Sequence, residues 1–170
     1  MRFLAAVIVV LASGAARAEL APGHVVNAKA SKTEREAARA ASEAGQALVQ
    51  NDFNGAISAA DRAIAVDSKQ PWAHYVRAEA LVRLGRLDDG LAELRLAEHD
   101  FPADERWSKS IAVWGRANAF YQLGRCADAK TAFAEYIALV KGDDKEAADL
   151  AQTRIDGCKV PWVAPAAKAP

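Results

Sequence analysis

Residues 77–102 read RAEALVRLGRLDDGLAELRLAEHDFP, and this stretch decides the fold. Two segments flank the turn GRLDDG at residues 85–90, and each places its apolar residues at helical spacing. Gly85 suits the left-handed conformation that commonly ends a helix, and Pro102 stops the second segment. The stretch therefore predicts two helices joined by a short turn.

The same kind of turn occurs three times along the chain. NDFNGA begins at residue 51, GRLDDG at residue 85 and GRCADA at residue 124, so the spacings are 34 and 39 residues. Upstream, Ser31 and Glu34 have the spacing of a capping box and mark the start of the first helix. A helix–turn–helix period of 34 residues is typical of stacked repeats, in which each helix pair buries its apolar face on its neighbours.

With this period the chain resembles the tetratricopeptide repeat family from about residue 37 to residue 140. The second copy fills the family's small, aromatic and closing positions with Ala78, Leu81, Gly90, Ala97 and Pro102. The third copy has Ala117, Phe120, Ala129 and Phe133, with Tyr136 where Ala is usual. The first copy matches mainly in its second helix, at Ala56, Ala60 and Ala63. The family's Trp and Leu are missing, and His74, Val113, Arg77 and Arg116 replace them.

The expected fold is an all-α, tetratricopeptide-type α-solenoid. Alanine contributes 41 of the 170 residues, which favours closely packed helices over strands. The helical domain is predicted over residues 31–158, with repeats at about 37–70, 71–104 and 105–142 and a capping helix at 143–157. The apolar side of that capping helix is predicted to hold Ala147, Ala148, Leu150, Ala151 and Ile155. Five extra residues precede the third repeat. They are expected to lengthen its first helix by more than a turn, with Trp107 either packing back onto the second repeat or projecting outward.

The N-terminus has the pattern of a secretory signal peptide. Arg2 precedes an apolar run of nine residues, FLAAVIVVL, and small residues lead up to Ala18. Residues 1–18 are therefore predicted to be removed, which leaves Glu19 as the first mature residue and residues 19–30 as a leader. A membrane anchor is the alternative, but nine apolar residues are too few to span a bilayer, which needs about 20. A protein exported to the bacterial periplasm, or to an equivalent space, is expected.

The chain contains two cysteines, Cys126 and Cys158. In an exported protein two cysteines favour one intramolecular disulfide, and two buried thiols or an intermolecular bridge are the alternatives. Residues 159–170, KVPWVAPAAKAP, hold three prolines and four alanines without periodicity, and are expected to form an extended or disordered tail.

The sequence offers no catalytic or metal-binding pattern. Its three histidines are scattered, and phosphate-binding and nucleophile motifs are absent. His74 is expected to be a packing residue. The 22 basic and 22 acidic residues balance, so the chain lacks the basic field of a nucleic-acid-binding protein. We therefore expect no enzyme activity, no cofactor, no metal, no nucleic acid and no membrane insertion of the mature chain.

The resemblance implies a binding surface on the first helices of the repeats, which line the concave face of the family's fold. In the second and third repeats it implies Trp72, Tyr75, Glu79, Val82, Ile111, Trp114, Asn118 and Tyr121. Trp and Tyr are typical of binding hot spots. An alternative is that Trp72 and Trp114 fill space between helix pairs, or lie under the leader. Chaperone-binding members clamp a terminal carboxylate with basic and Asn residues, and this chain has Ala41, Gly45, Val76, Ile111 and Gly115 there instead.

The function expected from this surface is non-enzymatic binding of a peptide or helix from another protein. The alternative is a structural subunit that self-associates through the aromatic residues.

Overall fold

The computed structural model describes residues 30–140 and 142–158. Within those ranges the chain forms seven α-helices and no strand. They are α1 (Lys32–Val49), α2 (Phe53–Val66), α3 (Pro71–Arg83), α4 (Leu87–Asp100), α5 (Arg106–Gln122), α6 (Cys126–Val140) and α7 (Lys145–Gly157). The expected signal peptide, its cleavage site at Ala18 and Glu19, and the tail at 159–170 lie outside the described residues. The all-α prediction is confirmed.

The chain divides at Gly85 and Arg86 into two compact units. The first unit holds helices α1 to α3 and the second holds α4 to α7. The two helices of the second repeat, α3 and α4, therefore belong to different units.

Helix ends follow the signals in the sequence. The Ser31 hydroxyl accepts a hydrogen bond from the Glu34 N–H, and the Glu34 carboxylate accepts one from the Ser31 N–H, so both halves of the capping box form. Pro71 opens α3, where a missing N–H costs nothing. Gly85 and Gly124 follow α3 and α5 with φ angles of +78° and +69°. A residue with a side chain would be strained at either position.

Alanine fills the core of the first unit. Ala41, Ala44, Ala56, Ala60 and Ala63 are fully buried where α1 and α2 pack together, and α3 adds Ala73 and Ala80. Small side chains let helix axes approach closely. Two ion pairs also connect these helices. Arg62 of α2 pairs with Glu43 of α1 at 2.9 Å, and Arg77 of α3 pairs with Asp61 of α2 at 3.0 Å.

The second unit is built on larger residues. Phe133 on α6 and Leu94 on α4 are its largest fully buried side chains. Helix α5 packs against both α4 and α6, and α6 also packs against α7. Arg116 on α5 ties three helices together, because it pairs with Glu98 of α4 at 2.7 Å and also with Glu135 of α6.

Two details of the second unit add to or correct the expectations. Helix α5 has 17 residues against 13 in α3, and Trp107 near its start is 51% exposed. Helix α7 begins at Lys145, because the Asp144 side chain caps it by accepting a hydrogen bond from the Ala147 N–H at 2.9 Å. The predicted apolar side of α7 is wrong at Leu150, which is 49% exposed, and Ala151 is the helix's one buried residue.

Candidate functional site

The eight residues that the sequence places on the first helices of the second and third repeats are called here the first-helix face. The structure leaves every one of them half-buried, neither sealed in a core nor fully exposed. Four lie on α3 in the first unit and four on α5 in the second. The expectation that these residues form a binding surface stays a prediction.

On α3, the aromatic pair of the first-helix face is part of the packing. The rings of Trp72 and Tyr75 meet edge to face with centroids 5.9 Å apart, and both pack against the alanine core. The Trp72 N–H donates to the Gln70 side chain at 3.1 Å, which caps the helix. Much of this pair's surface therefore stabilises the first unit, as the space-filling alternative predicts.

On α5, the first-helix face continues into a larger aromatic group, called here the aromatic row. Trp114 lies 4.9 Å from Tyr136 and 5.4 Å from Phe133 between ring centroids, and Tyr121 lies 6.5 Å from Phe133. The row thus consists of Trp114 and Tyr121 on α5 with Phe133 and Tyr136 on α6. Phe133 is its buried base, whereas the other three residues are half-buried.

Helix α7 flanks the aromatic row at both ends. Asp144, which caps the start of α7, acts on Tyr136, and Arg154 near the end of α7 lies over the Tyr121 ring at 5.4 Å from its centroid. Burial, and then the charge of Asp144, raises the pKa of the Tyr136 phenol above its usual value. The row therefore presents neutral rings, with one acidic group and one basic group at opposite ends.

The amide of Asn118 supports the row's backbone. Its Nδ2 donates to the carbonyl oxygen of Trp114 at 3.0 Å, one turn back on the same helix. Ile111 lies half-buried one turn before Trp114. The α5 part of the first-helix face is thus apolar and aromatic apart from one amide, and it carries no charge of its own.

Residues that depart from the family pattern have structural roles. His74 is 4% exposed, and its Nε2 donates to the carbonyl oxygen of Ser68 at 3.0 Å. Arg77 and Arg116, which replace a family Leu, each form an ion pair with a residue of the preceding helix.

Burial raises the pKa of Glu98, against the opposing hydrogen bond from Arg116. Burial also lowers the pKa of Arg116, but its hydrogen bonds to Glu98 and Glu135 outweigh this and raise it.

A shallow charged cleft lies between α4 and α5. Arg95, Glu98, His99, Lys109 and Arg116 line it. Its charges are largely matched from within: Arg116 is held by two carboxylates, and His99 Nδ1 lies 2.7 Å from an Asp100 oxygen. The cleft is therefore a surface at which the Arg116–Glu98 ion pair holds α4 and α5 together.

The structure joins Cys126 and Cys158 in a disulfide, with Cα atoms 5.5 Å apart. The bridge ties the first residue of α6 to the residue that follows α7. Of the alternatives open at the sequence level, the structure contains the intramolecular pairing, and it has no free cysteine.

In the described ranges, no group of three or more His, Cys, Asp or Glu side chains could hold a metal ion. Over the same residues, no helix combines the length and the apolar character that a membrane span requires.

This arrangement of helix pairs defines a helical-repeat protein, and comparison with known proteins gives its family. Residues 34–113 match the family model described as "Tetratricopeptide repeat". Among solved structures, the tetratricopeptide repeat domain of Arabidopsis OM64 is similar, with a TM-score of 0.63 and 18% sequence identity. The match covers 74% of this chain and 98% of that domain. No curated protein sequence matches the chain. Residues 34–113 therefore carry tetratricopeptide repeats, and proteins of this family typically serve as non-enzymatic scaffolds that bind other proteins.

Sequence reasoning missed part of the site. Tyr136 and Phe133 complete the aromatic row from α6, and Arg154 borders it from α7. One signal was visible, because Tyr136 occupies a position where the family has Ala, and a ring there must find space beside α5. Arg154 gave no such signal, since a basic residue near a helix end is common.

Proposed function

We propose that the chain binds a segment of another protein through the aromatic row, without catalysing a reaction. The observation that carries the proposal is the half-burial of Trp114, Tyr121 and Tyr136 over a fully buried Phe133. Partly exposed Trp and Tyr side chains on a rigid base are typical of interface hot spots, since they offer a large contact area at a small entropic cost.

The row's chemistry indicates the kind of segment. Its rings are neutral, and burial and the charge of Asp144 move the pKa of the Tyr136 phenol further above physiological pH. The matching partner is an apolar peptide or the apolar face of a helix. The carboxylate clamp of chaperone-binding relatives has no equivalent residues here, so a free C-terminus is not required.

We further propose that this binding takes place after export, in the bacterial periplasm or an equivalent space. Two independent features support this location. The first 18 residues have the pattern of a signal peptide, and the disulfide is of a kind that persists in oxidising compartments. Intact-mass analysis of exported protein tests the location. It is expected to show a chain that begins at Glu19, and a membrane-bound chain that retains Met1 would contradict it.

The binding proposal is tested by affinity capture from envelope extract, using the wild type and two tryptophan variants. Trp114→Ala removes the centre of the row, whereas Trp107→Ala removes a half-exposed tryptophan near the start of the same helix. Wild type and Trp107→Ala are expected to capture the same protein, which Trp114→Ala loses. A hot-spot loss of about 2 kcal/mol corresponds to roughly 30-fold weaker binding. Equal capture by all three would overturn the proposal.

Self-association through the same row is the competing use of this surface. Light scattering on the purified mature chain separates the two, because a self-associating subunit changes mass with concentration and a binder of other proteins does not. A dimer that Trp114→Ala converts to monomer would replace the proposed function by self-association.

A further inference from the structure

We propose that residues 159–170 of this same chain fold back onto the aromatic row and compete there with the partner. This inference deepens the proposed function, since it uses the same surface. It concerns an occupant that is covalently attached, and it can be tested without knowing the partner.

The structure fixes where this segment begins. The disulfide to Cys126 holds Cys158, the last described residue, at the start of α6. Just before it, a Cβ added at Gly157 would lie 3.7 Å from the Tyr121 phenol oxygen. Tyr121 is one end of the aromatic row, so the C-terminal segment starts beside the surface it is proposed to cover.

The distances allow the segment to reach the centre of the row. Trp162 is four residues after Cys158, and four residues of extended chain span at most about 14 Å. Along α5, the seven residues from Tyr121 back to Trp114 rise about 10.5 Å. An extended segment running back beside α7 thus brings Trp162 level with Trp114. The whole segment of twelve residues, at about 3.1 Å per residue in polyproline conformation, exceeds the length of the row.

The segment's chemistry matches the surface. Its sequence KVPWVAPAAKAP contains one Trp, two Val and three Pro, with Lys159 and Lys168 as its charged residues. Proline-rich segments dock on grooves lined by aromatic rings, because proline restricts the free chain and less conformational entropy is lost on binding. Trp162 adds a ring that can stack on Trp114 or Tyr136.

Attachment makes even weak docking effective. A short linker gives the second site an effective concentration in the millimolar range. A segment that binds the row with a dissociation constant of about 0.3 mM as a free peptide would therefore occupy it most of the time when attached. A partner must then displace the segment. Its apparent affinity is its affinity for the open row multiplied by the fraction of molecules in which the row is open.

The test uses the mature chain, a chain ending at Cys158 and the synthetic peptide KVPWVAPAAKAP. The chain ending at Cys158 keeps both cysteines and every described helix. It is expected to bind the peptide in calorimetry or in an NMR titration that follows the Trp114 indole N–H. The mature chain is expected to bind the same peptide about fourfold more weakly, because its own segment competes at an effective concentration of about 1 mM with a dissociation constant of about 0.3 mM. Trp162→Ala in the peptide removes binding, and Trp107→Ala in the protein leaves it intact.

Two results would overturn the proposal. One is a shortened chain that does not bind the peptide. The other is equal peptide affinity for the shortened and the mature chain, which would mean that the attached segment lies elsewhere. Failure of this proposal is distinguishable from failure of the proposed function. If the shortened chain ignores the peptide while Trp114→Ala still loses the captured protein, the row binds a partner and the segment does not cover it.

Discussion

Removing the disulfide should release α7 while the rest of the second unit stays folded. Helix α7 packs mainly on α6, touches Tyr121 of α5 through Arg154 and fully buries a single residue, Ala151, so its apolar packing contributes little. The bridge closes a loop with a sequence separation of 32 residues. For a loop of this length, the chain-entropy model gives about 3.7 kcal/mol at 25 °C. This exceeds what one buried Ala can supply, so the bridge is expected to dominate the attachment of α7.

Hydrogen exchange read by mass spectrometry measures this directly. The variant Cys126→Ser/Cys158→Ser should exchange the amides of α7 close to the rate of an unfolded chain. Amides of α5 should keep most of their protection, because α5 packs between α4 and α6 and is held by the Arg116 ion pairs. The wild type in reducing agent should behave like the variant.

The variant itself supplies the control. Adding reducing agent to Cys126→Ser/Cys158→Ser should change nothing, because no disulfide remains. If α7 stays as protected as α5 in the variant, its packing on α6 suffices and the reasoning from burial is wrong. If the whole second unit unfolds together, α7 is instead an integral part of that unit's core.

Three smaller perturbations test other parts of the structure. Ser31→Ala should cost about 1 kcal/mol in the first turn of α1. Hydrogen bonds from the Ser31 N–H, and then from the Ser31 side chain, lower the pKa of Glu34, so the stabilisation from these bonds is present above the unfolded-state pKa and is lost as pH falls through the folded-state value. Ser31→Ala keeps the N–H and removes the side-chain bond, so an NMR titration should give a higher Glu34 pKa in the variant. Burial raises the folded-state pKa of Glu98. The stability of the wild type relative to Glu98→Gln should therefore be greatest below the unfolded-state pKa and should fall as pH rises through the folded-state pKa. Urea melts at several pH values measure this difference, and the opposite slope would contradict the prediction. Gly45→Ala should stabilise α1 by about 0.5–1 kcal/mol, because nothing outside the adjoining backbone of α1 lies within 4 Å of the added Cβ; a lower thermal midpoint would refute it.

Most of the fold could be predicted because its signals are local. The capping box at Ser31, proline at the start of α3 and glycines after α3 and α5 each act within one turn of helix. A repeating turn then fixes the order of helices, since each pair has an apolar face that only a neighbour can cover. Leu150 was predicted wrongly because α7 ends the described series of helices, and periodicity alone does not show how wide a stripe of α7 its neighbours cover.

The site was predictable only in part, because its geometry depends on contacts between helices. Family positions gave Trp114 and Tyr121 on α5, but the partners of Trp114 on α6 depend on how α5 and α6 pack. In the same way, Arg77 and Arg116 look like disruptions of an apolar pattern when read along the chain. Their carboxylate partners on the preceding helices become apparent only once the helices are packed.

The central claim is that the aromatic row contacts another protein, and site-specific photo-crosslinking in the source cells tests it most directly. One benzoylphenylalanine probe replaces Asn118, which lies on the first-helix face between Trp114 and Tyr121 of the aromatic row. A second probe replaces Trp107 near the start of the same helix and serves as the control. On irradiation, the Asn118 probe should give an adduct heavier than the chain by the mass of a different protein, and the Trp107 probe should not. An adduct with twice the chain's mass would instead show self-association. No adduct from Asn118, or the same adduct from both positions, would contradict the claim.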